Sequence, residues 1–349
     1  MSTTNESPAV AEQPAETPPV DVPRAGGHEP GALVRHLEAY ALLGLLLLAA
    51  IFFSFYSKTS ETFPTAANLQ TLIGSQAVVA VVALAALIPL VANEWDLSIG
   101  AVAGLAAIYA ASLMADGTSL ILALLVAVLV GVVIGLANAL IVTRVRVNAV
   151  ITTLGMSVII AGIINQKTNG SAVTGAIPES LTDFGSGLWF GIPRTAFALG
   201  AIALTVYYVL EHTPAGRYLY ALGSNPKGAR LVGLRTRLLL GSTFVAAGML
   251  SACAGYLQVA RAGGADPRVG ETFTLPALAA AFLSAASIKP GRYNVGGTLV
   301  AIFFLATLNN GLNLAGAQPY VASYVNGAAL IVGVGLAAYL GRKRTGQAD

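Results

Sequence analysis

The chain consists of apolar runs, each about one membrane thickness long, separated by connections that hold most of its polar residues. The first run, Leu37 to Phe55, is followed by nine more: Leu69 to Val91, Leu97 to Ala115, Ser119 to Thr143, Ala149 to Asn165, Thr195 to Leu210, Leu238 to Ala260, Thr272 to Ile288, Val295 to Leu314 and Tyr320 to Leu340. Each is close to the ~20 residues that carry a helix across ~30 Å of hydrocarbon, and tilt or bilayer thinning accommodates the shorter ones. The pattern predicts an all-α fold, a polytopic membrane helix bundle of about ten transmembrane helices filling residues 35–341. Residues 1–34, rich in Pro, Ala, Glu, Thr and Gly, read as a disordered tail, and 342–349 as a second short tail. A basic stretch leading into a short apolar one, the mark of a cleavable signal, is absent, so the first run is expected to stay as an anchor.

The longest mixed polar interruption is residues 211–237, with the core TPAGRYLYALGSNPKGARLVGL from Thr213 to Leu234. Arg217, Lys227, Arg230, Arg235 and Arg237 exclude it from hydrocarbon. Thr213 is able to cap a helix and Pro214 suits its first position, while Gly223 to Pro226 interrupts the segment, which predicts two short helices joined by a turn. An even number of spans puts both termini on one side. With that side cytoplasmic, Lys58, Lys167, Arg194, Arg261 and Arg268 are the only five of the 19 Lys and Arg left outside. That is the asymmetry of the positive-inside rule. A plain solvated loop and a docking element satisfy it equally.

Composition narrows the function classes. A chain with 56% hydrophobic and only 10% charged residues, and a mean hydropathy of +0.74, is too apolar for a soluble domain. The net charge of +3 is accounted for by loop placement, so no nucleic-acid partner is implied. Cys253 is the one cysteine, and His28, His36 and His212 lie outside the runs, which leaves no disulfide framework and no spacing for a metal or cofactor. No Asp, Glu, Lys or Arg falls in the middle of a run, which argues against an ion-coupled secondary transporter, and no catalytic constellation is present. The runs are dense in small residues, as in Gly131 to Gly135, so helix backbones can approach closely. In the ninth run Asn309, Asn310 and Asn313 gather toward the predicted outer half. Asn309 and Asn313 are four apart and share a face, so their amides either line a polar path for hydroxyl groups or bond neighbouring helices. Asn310 is the more structural of the three.

In Asn93-Glu-Trp-Asp-Leu-Ser-Ile-Gly100, Asp96 has the character of an N-cap for the third helix, its carboxylate meeting the free amides at the positive end of the dipole. The same segment resembles the I-D-L-S-x-G of permease subunits of bacterial ABC importers of the ribose, xylose and arabinose type, through Asp96, Ser98 and Gly100. Asn148 to Gly155 is similar to that family's P-x-F-I-x-T-L-G through Thr153 and Gly155, with Asn148 where the family commonly has Pro. Thr213, Gly216, Arg217, Tyr220, Gly223, Asn225 and Gly233 follow its T-x-x-G-R…Y-A-x-G-x-N…G-I loop. Gly296-Gly-Thr298 and Asn310-Gly311-Leu312 resemble its closing G-G-T…N-G-L. The matches keep their order across roughly Leu69 to Leu340, which makes the resemblance specific. One stretch departs: Leu283 to Arg292 reads LSAASIKPGR where the family usually has G-G-x-S-x-x-G-G.

The resemblance implies a permease subunit of the bacterial inner membrane, both termini cytoplasmic, that moves a monosaccharide inward. It implies no ATPase of its own, and no G-x-x-x-x-G-K-[ST] occurs. The implied partners are cytosolic ABC ATPase subunits, a second permease, alike or paired, and an extracytoplasmic sugar-binding protein. The central loop then acquires the role of coupling helices. Thr213, Gly216, Arg217, Tyr220, Gly223, Asn225, Gly228, Ala229 and Gly233 are expected to carry the ATPase contact, the small residues letting a partner reach the backbone. A permease for a branched-chain amino acid or other small polar solute, an ion-coupled transporter and a membrane scaffold remain as alternatives.

Overall fold

The computed structural model describes residues 32–175 and 177–345. The tail expected at 1–34 falls almost wholly outside the described residues, as do 346–349 of the second tail. Every apolar run contains a helix: α1 (Ala32–Phe55), α2 (Ala66–Val91), α3 (Ile99–Ala115), α4 (Leu120–Leu140), α5 (Ala149–Thr168), α7 (Arg194–His212), α10 (Thr236–Ala262), α11 (Val269–Leu283), α12 (Val295–Leu314) and α13 (Tyr320–Thr345). The connections hold α6 (Glu179–Ser186), α8 (Pro214–Ser224) and α9 (Pro226–Leu231). Among the described residues eight helices are long and apolar enough to cross a membrane, and Ala39–Phe55 and Ile99–Ala115 are shorter apolar helices.

Small residues decide which helices meet. Gly131 on α4 and Gly248 on α10 touch backbone to backbone, and Gly100 on α3 lies against the Gly270 carbonyl of α11, so a β-carbon at any of these positions would collide with main chain. α2 runs through the middle, its residues from Ala77 to Val91 buried throughout with the sole exception of half-buried Val79.

The connections sort to two ends. α1 begins beside the α11–α12 turn, where the Ile288 amide donates to the Ala39 carbonyl at 2.8 Å. It finishes beside the far half of α12, where the Phe53 ring covers Gly311. Gly333 of α13 lies against the Leu283 amide at the end of α11, and Tyr220 of α8 bonds Tyr293 of the α11–α12 turn, so α1 starts and α13 stops at the same end of the bundle as α8 and α9. At the opposite end, Val173–Thr174 pairs antiparallel with Gly264–Ala265, and Leu188–Trp189 folds back on Ile192–Pro193.

Candidate functional site

The polar segment between α7 and α10 folds as two capped helices. Thr213 Oγ1 accepts from the Gly216 amide at 3.4 Å and Pro214 opens α8. Asn225 Oδ1 accepts from the Gly228 amide at 2.9 Å and Pro226 opens α9. Each cap satisfies an amide the first turn leaves free, and each Pro occupies a position where its missing N–H costs nothing. Gly233, at φ +82°, closes α9 in the left-handed region that a glycine enters without strain.

The loop's small residues turn inward. Gly216 packs on the Leu210 carbonyl, Gly223 on the Val91 carbonyl at the end of α2, and Gly228 on the Asn225 side chain. Ala229 is only 4% exposed, and Leu219 and Leu222 are buried beneath α8. Of the expected contact residues, Gly216, Gly223 and Ala229 therefore seat the loop on its own bundle, while Gly228 packs within the loop. Tyr220 is tied down as well, its hydroxyl donating to the Tyr293 carbonyl at 2.8 Å. Burial pushes the Tyr220 phenol up, so it stays a donor at physiological pH.

What remains accessible is Arg217, Asn225 and Gly233 of the expected residues together with Tyr218, Ser224, Lys227 and Arg230, and Leu231 and Val232 project at 88% and 76% exposure. Beside them lies a polar depression of about 400 Å³, whose lining includes Glu94 of the α2–α3 link, Arg146 and Asn148 of the α4–α5 connection, and Arg230 and Arg237. Burial raises the Glu94 carboxyl above its usual range. Asn148 caps α5, its Oδ1 accepting from the Ile151 amide at 3.3 Å.

Asp96 does not cap α3. The helix begins at Ile99, and the Asp96 Oδ1 instead accepts from the Ser98 amide at 2.8 Å and the Ser98 hydroxyl at 2.6 Å within the link. The carboxylate is thus used before the helix begins. Ser98 Oγ in turn accepts from Asn138 Nδ2 of α4 at 3.0 Å, and Thr153 Oγ1 of α5 accepts from the Leu97 amide at 3.0 Å. Asp96, Ser98 and Thr153, which lie in separate motifs of the sequence, form one buried polar cluster joining the link to α4 and α5. Asp96 is 2% exposed, and burial raises its carboxyl while the two Ser98 bonds lower it. Asn138 was not among the residues expected to matter. Its signal is the lone amide in an apolar run.

Gly155 faces open space on the outside of α5. The three asparagines of α12 separate. Asn310 exchanges hydrogen bonds with Asn68 of α2 at 3.1 Å in both directions, and Asn309 Nδ2 donates to Asn326 of α13 at 3.3 Å. Asn313 is exposed and makes no side-chain hydrogen bond among the described residues. The structure does not join Asn309 and Asn313 into one polar line.

Residues 68–334 match the family described as branched-chain amino acid transport system / permease component. The ribose import permease protein RbsC of Escherichia coli K12 is 33% identical over 304 residues, covering 85% of this chain and 92% of that protein. RbsC of Bacillus subtilis 168 is 33% identical over 294 residues, 84% of this chain and 90% of that one. The L-arabinose transport system permease protein AraH of Escherichia coli K12 is 30% identical over 294 residues, 83% and 88% of the two chains. No solved structure is a significant match.

Proposed function

The chain belongs to the permease family described for branched-chain amino acid transport systems and is related over most of its length to ribose and arabinose import permeases, and from that premise we propose the following role. It is the membrane subunit of an ATP-binding-cassette importer that carries a pentose or hexose into the cytoplasm. The end bearing α8 and α9 faces the cytosol and receives an ATPase subunit. The opposite end takes sugar from a binding protein, and a second permease completes the pathway. Leu231 and Val232 carry this reading. They form an apolar tip among Arg217, Lys227 and Arg230, on a segment whose other face is buried against its own bundle. Charge keeps the segment out of hydrocarbon, and two large apolar side chains thrust into water mark a surface that another protein covers. The basic depression beside the tip favours an acidic counterpart.

The sugar assignment draws on the similarity to ribose and arabinose import permeases. The test is uptake into proteoliposomes holding the permease, its ATPase and its binding protein, with ribose, arabinose, xylose and leucine as candidate solutes. ATP-dependent uptake of a sugar is expected. Leucine uptake alone would return the assignment to a branched-chain amino acid, and uptake without ATPase under an ion gradient would replace the mechanism.

A further inference from the structure

We propose that Lys289 and Arg292, in the α11–α12 turn, are positioning residues that clamp α8 through Glu211 and Tyr220, so that movement of the coupling segment is passed to α11 and α12. The inference rests on the reading of α8 and α9 as the ATPase contact.

Three chain segments converge on one carboxylate and one ring. Glu211, in the last turn of α7, has a side chain only 12% exposed, and its Oε2 takes both Lys289 Nζ at 2.7 Å and Arg292 Nη2 at 3.5 Å. The Arg292 guanidinium also lies over the Tyr220 ring of α8, 3.6 Å from its centroid. The hydroxyl of that ring donates to the carbonyl of the next residue, Tyr293. Tyr220 is therefore held at its face and at its tip by consecutive residues. The Arg292 Nε is buried without a hydrogen-bond partner among the described residues, so the guanidinium is incompletely satisfied there, as suits a contact that breaks and re-forms.

The turn that supplies the cations is a stiff unit. Asn294 Nδ2 donates to the carbonyls of Ser284 and Ser287, both at 2.9 Å, and of Arg292 at 3.0 Å, while its Oδ1 accepts from the Gly297 amide at 2.7 Å. One buried amide thus binds the end of α11 to the start of α12. Ile288 sits at φ +62°, a region β-branched residues rarely enter, fixed by its bond to Ala39 of α1. On the other side, Gly216 packed on Leu210 makes the end of α7 and the start of α8 move together. Displacing α8 must then either carry the turn with it or break the Glu211 and Tyr220 contacts. This is also the stretch LSAASIKPGR that departs from the glycine-rich family pattern, and the departure is where Lys289 lies. Gly223 on Val91 couples the loop to α2; the clamp supplies a second route, to α11 and α12.

The guanidinium plane matters, because a Lys ammonium cannot stack on the ring and reach the carboxylate in the same geometry. In the complete transporter in proteoliposomes, ATPase retained per permease and sugar moved per ATP hydrolysed are measured together. Arg292→Ala is expected to retain the ATPase and hydrolyse ATP while moving several-fold less sugar per ATP, with Arg292→Lys only partly restoring it. Glu211→Lys is expected to be as severe, and adding Lys289→Glu to recover at least half of the loss. An unchanged ratio in Arg292→Ala, including one that accompanies a lower yield of complex, overturns the clamp, as does a Glu211→Lys defect that Lys289→Glu leaves unrepaired. The docking reading fails separately: it falls if Leu231→Glu keeps the ATPase, whatever Arg292→Ala does. If Leu231→Glu releases the ATPase and Arg292→Ala keeps its ratio, only the clamp falls.

Discussion

Two long connections occupy opposite ends of this bundle and are fastened in different ways. The one at 166–194 is held at the ends of α10 and α2: Gly185 of α6 packs on the Ala260 carbonyl of α10, Arg261 Nη1 donates to the Gly185 carbonyl at 3.3 Å, Val173–Thr174 pairs with Gly264–Ala265, and the hairpin tip is held by Gln70 of α2 at 3.0 Å from the Gly191 carbonyl. Its most exposed large residue, Phe190, is fully exposed. The one at 211–237 touches the end of α2, the end of α7 and the α11–α12 turn, and borders the α4–α5 connection across the polar depression. The first is tied to the ends of α2 and α10, whereas the second also reaches, through Glu211 and Tyr220, the turn that joins α11 to α12. That difference supports the proposal that 211–237 is the connection through which force enters.

The largest expected effect is an all-or-none contrast between the two ends. With Cys253 replaced, a cysteine at Thr174 should react with membrane-impermeant maleimide in intact cells and one at Ser224 should not; both positions are exposed on the protein. Labelling of Ser224 from outside would invert the comparison. Next in size is the polar cluster under the coupling end. Asp96→Leu leaves the Ser98 amide and hydroxyl without their acceptor and should cost about 1–3 kcal/mol for each buried group left unpaired, read as a fall in the detergent unfolding midpoint. Asp96→Asn keeps an acceptor oxygen, and since burial opposes the charged form it should be no less stable than the parent at neutral pH. Equal losses in the two variants would show that the acceptor is not what matters. The smallest effects belong to the far half of α12. Asn309→Ala should cost about 1 kcal/mol of stability through its bond to Asn326, and Asn313→Leu should leave folding unchanged. A change in sugar preference in Asn313→Leu with normal yield would place that residue in the sugar path.

Much of this arrangement was legible in the sequence. The ten apolar runs each hold a helix because bilayer thickness fixes a length that hydropathy reports directly, and the cap at Thr213 was readable because it is local chemistry with Pro beside it, whereas Asn225, expected only as part of the break, caps α9. Asp96 was misread for the same local reason: a carboxylate two residues ahead of a helix looks like a cap until Ser98 is seen to take it. Contacts between distant segments left no trace in the pattern. Asn138 meets Ser98 across 40 residues and Arg292 meets Glu211 across 81. Nor does hydropathy say which helix face points inward, since lipid is as apolar as the core. α4 has the higher mean hydropathy, 3.2 against 2.3 for α2, yet 22% of its apolar window is buried against 78%. The glycines of the loop were expected to admit a partner; Gly216 and Gly223 also admit the loop to its own bundle, because a residue without a side chain serves any close approach alike.

The central claim is that the exposed tip of 211–237 holds the ATPase, and co-purification of the ATPase with permease variants tests it most directly. Leu231→Glu and Val232→Glu place charge on side chains that touch solvent, so the permease should insert and fold normally while retained ATPase falls by more than about tenfold, the equivalent of ~1.4 kcal/mol. Phe190→Glu, at the opposite end, should retain it in full. ATPase bound at parental levels in both tip variants would contradict the account.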